Sequence, residues 1–137
     1  MNVEKSEQEV LEGKLDSALA EAETKTSKAS DSITNKTEDS EKDLWAAAEA
    51  TEFASLVYAL TYSLEDSTVT TTRKDDEDTS TMVRDASQNL RRVQTLRKQL
   101  DKDSLLEGYK VLRGTTDSLR NAYLRITKIK TKPPLSS

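Results

Sequence analysis

"WAAAEATEFASLVYALTYSLE", residues 45–65, holds four of the six aromatic residues in the chain: Trp45, Phe53, Tyr58 and Tyr62. Phe53, Leu56, Val57, Leu60 and Leu64 recur at spacings of three and four, which predicts one strong helical stripe. Trp45, Ala46, Ala50, Tyr58 and Tyr62 spread apolar surface well beyond that stripe. A helix that is apolar over most of its circumference reads as a central element. The expectation is a helix over roughly 41–65 with Phe53, Leu56, Val57, Leu60 and Leu64 turned inward. Trp45, Tyr58 and Tyr62 exceed what lean neighbouring helices can cover, so at least one of them is expected to meet a second protein chain.

The same stretch is the only candidate for a membrane span, and Glu49 and Glu52 interrupt it. A carboxylate in a bilayer core costs about 2.5–3.5 kcal/mol on insertion scales. Met1 is followed by charged residues rather than an apolar signal core. The expectation is an intracellular protein of cytoplasm or nucleus, not secreted.

Leu, Val, Ile and Phe supply 27 of 137 residues, and the net charge is −4. That supports one domain, residues 1–132, with a modest core. The chain has no Cys and no His. Disulfides, thiolate or imidazole metal sites, Cys nucleophiles and Ser-His pairs are thereby excluded. Three glycines, at 13, 108 and 114, form no phosphate-cradling loop, and the acidic run lacks calcium-loop spacing. No catalytic set, cofactor or metal site is expected.

Three sequences carry helix-start spacing: Ser6 with Glu9, Ser40 with Asp43, and Ser104 with Glu107. Helix 1 is predicted from Glu7 to the mid-20s on Leu11, Leu15, Ala18, Leu19 and Ala22. The Ser/Thr-rich run after Thr24 disfavours helix. Residues 66–81 read as an exposed acidic mobile loop. Thr79, Ser80 and Thr81 beside its acids are candidate phosphorylation sites.

Helix 3 is predicted over 82–100, with Val83, Ala86, Leu90, Val93, Leu96 and Leu100 along one side. Helix 4 is predicted to begin after Ser104. Leu105, Tyr109, Leu112, Thr116, Leu119, Tyr123 and Ile126 then step by four and three as a heptad seam. Gly108 and Gly114 lower helix propensity there and can allow a neighbouring helix to approach closely. Pro133 and Pro134 end regular structure and leave 133–137 as a disordered tail. The fold class is all-α: a bundle of about four helices, up-and-down in its simplest topology. A helical hairpin completed by another chain is the alternative.

Charge is divided along the chain: residues 83–137 carry +8, and the first 82 residues are acidic. Either the halves pack together and compensate, or the basic half faces an anionic partner. Candidate anion or nucleic-acid contacts are Arg84, Arg91, Arg92, Arg97, Lys98, Arg113, Arg120 and Arg125. The candidate partner-helix interface is Trp45, Phe53, Tyr58, Tyr62, Leu105, Tyr109, Leu112, Leu119, Tyr123 and Ile126.

"FASLVYALTYSLED" followed by "NLRRVQTLRKQLDK" resembles the exosome-associated nuclear nucleic-acid-binding cofactor family. Tyr58, Ala59, Leu60, Leu90, Arg92 and Val93 carry the resemblance, within Leu44 to Lys102. The family's His-Pro before the basic helix is replaced here by the Thr-rich acidic loop. The resemblance implies a small helical bundle that pairs with a nuclease and assists RNA processing. The residues themselves point to a non-enzymatic helical adaptor acting through helix–helix contacts, without a small-molecule substrate.

Overall fold

A computed structural model describes residues 6–65 and 78–131. They form four helices: α1 (Glu7–Thr34), α2 (Ser40–Thr61), α3 (Thr79–Gln99) and α4 (Lys102–Thr131). No strand occurs among the described residues. The helices pack as a ring in the order α1, α2, α4, α3, so the fold is a small all-α bundle completed within the chain.

The topology differs from a simple up-and-down bundle. One core cluster joins Leu15 and Leu19 of α1, Val57 and Tyr58 of α2, Leu90 and Val93 of α3, and Tyr109 and Leu112 of α4. The other joins Ala29 of α1, Leu44 of α2, Val83 of α3 and Leu119 of α4. Thus α1 and α4 run one way, and α2 and α3 run the other. Every pair of neighbours in the ring is antiparallel, so their macrodipoles oppose. The chain leaves α2 at one end of the bundle and enters α3 at the opposite end, about 30 Å away for a helix of this length. The length of the segment between them is a requirement of this crossover. The loop predicted over 66–81 falls, for residues 66–77, outside the described residues, as does the tail over 133–137.

Helix α1 outlasts the mid-20s by more than two turns. Thr26, Ala29 and Ser32 continue its buried face, and Thr24 turns its hydroxyl back to the Ala20 carbonyl at 3.0 Å. Tertiary burial overrides the weak propensity of that run.

Ser6 accepts from the Glu9 N–H as the spacing predicts. Ser40 does not cap: it is the first residue of α2, and its hydroxyl donates to the carbonyls of Ser32 and Thr37. Asp43 is instead drawn inside, where the Ser32 hydroxyl donates to its carboxylate. Ser104 is also displaced, because Asp101 accepts from the Ser104 N–H at 2.8 Å and α4 begins at Lys102. Asp78 caps α3 by accepting from the Thr81 N–H, which makes 79–81 its first turn rather than loop. The carboxyls of Asp78 and Asp101 lie below their usual range chiefly because these backbone N–H groups favour the charged form. Leu100, predicted on the inner side of α3, is left-handed and exposed at its C-cap.

The largest correction concerns α2. Its buried face is Leu44, Ala47, Ala48, Thr51, Ala54, Ser55, Val57, Tyr58 and Thr61. Phe53, Leu56 and Leu60, predicted inside, are 54%, 49% and 66% exposed. The helix presents its small residues to α1, whose own inward face includes Ala18, Ala22, Thr26 and Ala29. Two small-residue faces let backbones approach closely, and α1 with α2 is accordingly the most extensive helix pair in the ring. Threonines also divide the core: Thr26, Thr51, Thr115 and Thr116 lie buried between the two apolar clusters. Thr51, Thr115 and Thr116 return their hydroxyls to carbonyls four residues back. Among buried side-chain polar atoms of the described residues, Thr26 Oγ1 has no hydrogen-bond partner.

Tyr58 is the one large anchor of α2's inner face. Its hydroxyl donates to the Leu105 carbonyl at 2.9 Å, and its ring stacks on Tyr109 with centroids 6.1 Å apart. Gly108 permits this, since a Cβ there would collide with the Tyr58 hydroxyl; Gly114 faces open space. Overpacking of this kind costs about 1–3 kcal/mol, against about 1 kcal/mol gained in helix propensity. Gly108→Ala is therefore expected to lower stability in urea unfolding. In a Tyr58→Phe background the same change should cost less, by about 1 kcal/mol or more. Equal costs in both backgrounds would show that the contact is not the cause.

Candidate functional surface

The predicted interface residues divide between inside and outside. Tyr58, Tyr109, Leu112 and Leu119 are buried in the chain's own core. They cannot meet a partner, which corrects their assignment to the interface. Leu105, Tyr62, Tyr123 and Ile126 are half-buried against the same two clusters. The heptad seam of α4 is thus the stripe that α4 turns toward its own bundle. Trp45 and Phe53 remain outside, at 51% and 54% exposed.

What the spacing missed is the set that accompanies them. At about 100° per residue, Trp45, Glu49, Glu52, Phe53, Leu56 and Leu60 fall within an arc of about 100°. Four large apolar side chains therefore share the outer face of α2, while its inner face is mostly alanine, serine and threonine around Leu44, Val57 and Tyr58. Single exposed apolar residues are ordinary; here four share one helix face, with Glu49 and Glu52 set among them. Leu124 of α4, 54% exposed, lies one turn beyond Arg120, which pairs with Glu52 of α2. Trp45 packs against Tyr123 with ring centroids 5.1 Å apart. Together with Glu38, Glu41 and Lys42 the two rings line a shallow hollow of about 320 Å³. The inward signal available in sequence was the alanine and threonine spacing shared by α1 and α2.

The basic residues also divide. Arg97 is turned inward, its side chain 13% exposed. It pairs with Asp16 and donates to the Tyr62 hydroxyl at 2.9 Å and the Glu12 carbonyl at 3.4 Å. Burial works against its charge, and the hydrogen bonds to Asp16 and Tyr62 more than offset this, so its pKa lies above the ordinary arginine value. Tyr58 nearby is pushed well above the ordinary tyrosine value, chiefly by burial and then by Tyr62, so its hydroxyl stays a neutral donor. Arg120 pairs with Glu52, and Arg92 with Glu107 at 3.4 Å. Arg97 and Arg120 thus bridge the two hairpins, one at each seam: α3 to α1, and α4 to α2. These three arginines serve the fold before any anionic partner. Arg113 and Arg125 are half-buried on α4.

Arg84, Arg91 and Lys98 are exposed and seven residues apart, so they form one row along α3. Arg84 and Arg91 border an open, hydroxyl-rich groove against α1, with Ser27, Ser30, Asp31 and Ser87. Of the candidate phosphorylation sites, Ser80 is exposed, and the Thr81 hydroxyl donates to the Asp78 carboxylate at 3.1 Å. Among the described residues, no group of three or more His, Cys, Asp or Glu is placed to hold a metal ion, and no helix is long and apolar enough to cross a membrane.

The fold and surface define a four-helix bundle with one long crossover. No family model matches the chain, and no curated protein and no solved structure is significantly similar to it.

Arg97→Ala is expected to destabilise the bundle by about 1–2 kcal/mol, since it removes a largely buried side chain together with its bonds to Asp16, Tyr62 and the Glu12 carbonyl. Arg91→Ala, at an exposed position, should stay within about 0.5 kcal/mol of the parent. Urea unfolding of both variants checks the division between inward and outward cations.

Proposed function

We propose that the protein is a non-enzymatic helical adaptor, an intracellular subunit of a larger assembly that engages partner protein through the outer face of α2. The observation that carries this reading is the inversion of α2. Trp45, Phe53, Leu56 and Leu60 face outward although the core is built largely of smaller side chains. Exposing four large apolar groups in a row gives up burial worth about 1.5–3 kcal/mol for each fully covered side chain. A partner recovers that energy. The hydroxyl-bonded threonines and alanines of the inner face serve backbone approach and suggest no reaction.

Affinity capture with the tagged protein tests this, comparing the parent with Phe53→Glu/Leu60→Glu. Both positions are exposed, so helix content and melting should be retained. The variant should lose the co-purifying chains; an unchanged set would overturn the assignment of this face.

A second reading draws on the row of Arg84, Arg91 and Lys98 along α3: a cofactor in RNA processing that pairs with a nuclease and contacts RNA phosphates. It accords with the resemblance to exosome-associated cofactors and would place the protein in the nucleus. It predicts RNA binding that weakens steeply with salt and that Arg84→Glu/Arg91→Glu abolishes. Absence of binding at about 50 mM salt would remove it.

A further inference from the structure

Resting on the adaptor reading, we propose that the outer face of α2 docks a basic amphipathic helix of a partner protein, about four turns long. The length follows from the row itself. Trp45 and Leu60 are fifteen residues apart on one helix, about 22 Å, which a partner helix of some sixteen residues matches. An exposed helical row with apolar side chains at recurring turns is met by the apolar stripe of an opposing helix.

The charge around the row selects the partner's flanks. Glu49 and Glu52 sit between Trp45 and Leu56 on the same arc, and Glu38 and Glu41 border the hollow beside Trp45. Lys42 shares the hollow with Glu38 and Glu41, and Arg120 and Glu52 offset one another, so Glu49 and the glutamates of the hollow leave an excess of negative charge along the row. The rim is therefore acidic, and Lys or Arg flanking the partner's apolar stripe would complement it.

The same charges disfavour a second copy of this chain. An isologous antiparallel pairing of two α2 helices would place its two-fold axis midway between Trp45 and Leu60, at Glu52–Phe53. Glu49 of each copy would then be laid against Leu56 of the other, which desolvates a carboxylate on an apolar side chain, and the two Glu52 side chains would meet at the axis. The chain's own remaining segments are poor occupants by composition, residues 1–5 being too short to match the row. Residues 66–77 contain a single large apolar residue, Val69, and are themselves acidic, and residues 132–137 contain a single leucine.

Trp45 is the only tryptophan, so its emission reports directly on one end of the face. Two synthetic helical peptides of about eighteen residues should be titrated, with one leucine stripe in common and either Lys or Glu at every flanking position. The Lys peptide should blue-shift Trp45 emission and bind at least about ten-fold more tightly than the Glu peptide at about 50 mM salt. That advantage should shrink at high salt, and Glu49→Lys should reduce or invert it. Leu56→Ala/Leu60→Ala should weaken binding of both peptides. Equal affinity for the two peptides would overturn the basic-helix assignment and leave the adaptor reading standing. Binding of neither, with light scattering showing a concentration-dependent dimer, would assign the face to a second copy. Binding of neither by a protein that stays monomeric would overturn the helix-docking site, while the adaptor reading stands or falls by the affinity capture.

Discussion

The rotation of α2 about its own axis is fixed by one residue, Tyr58, and most of the molecule follows from it. The tyrosine is fully buried, its hydroxyl is held by the Leu105 carbonyl, and Gly108 leaves the space that this geometry needs. A buried phenol without an acceptor costs more than the net worth of its bond, so the position is restrictive in both directions. Tyr62 meets the Tyr58 ring edge-on with centroids 4.9 Å apart, and Arg97 holds the Tyr62 hydroxyl from α3. With that end set, the alanines and Thr51 must face α1, and Phe53, Leu56 and Leu60 must face solvent.

Electrostatics then assembles the two hairpins. The acidic α1–α2 hairpin and the basic α3–α4 hairpin meet along two seams, and each seam carries an arginine–carboxylate pair. The separation of charge along the chain is thus in part a docking code within the molecule. The exposed pair, Arg120 with Glu52, adds little stability by itself. The Arg97 cluster contributes more because its guanidinium is largely desolvated and bonded to three groups.

The buried core is rich in alanine and is crossed by a threonine layer. Large apolar groups are nevertheless available in α2 and are placed outside. The cheaper arrangement for a solitary bundle would bury Phe53 and Leu60 in place of alanines. That preference is the ground on which we propose the outer face of α2 as a surface for another helix.

The sequence by itself determined the class of fold and the four helices, the Ser6 cap, and, since apolar residues recur on one side, the seam of α4 as an apolar stripe, though not that the stripe faces its own bundle rather than a partner. The buried line of α3 was legible for the same reason, as far as Val93. Only the tertiary structure decided which face of α2 is inside. That helix is apolar around nearly its whole circumference, so periodicity assigns no inner side, and large residues were read as core when small ones were. The topology was equally hidden, because a connection of this length permits either a neighbouring or a diagonal return. Local spacing specifies a helix and its amphipathic face; where the face is ambiguous, the close fit of Tyr58 over Gly108 and of alanine against alanine makes the choice.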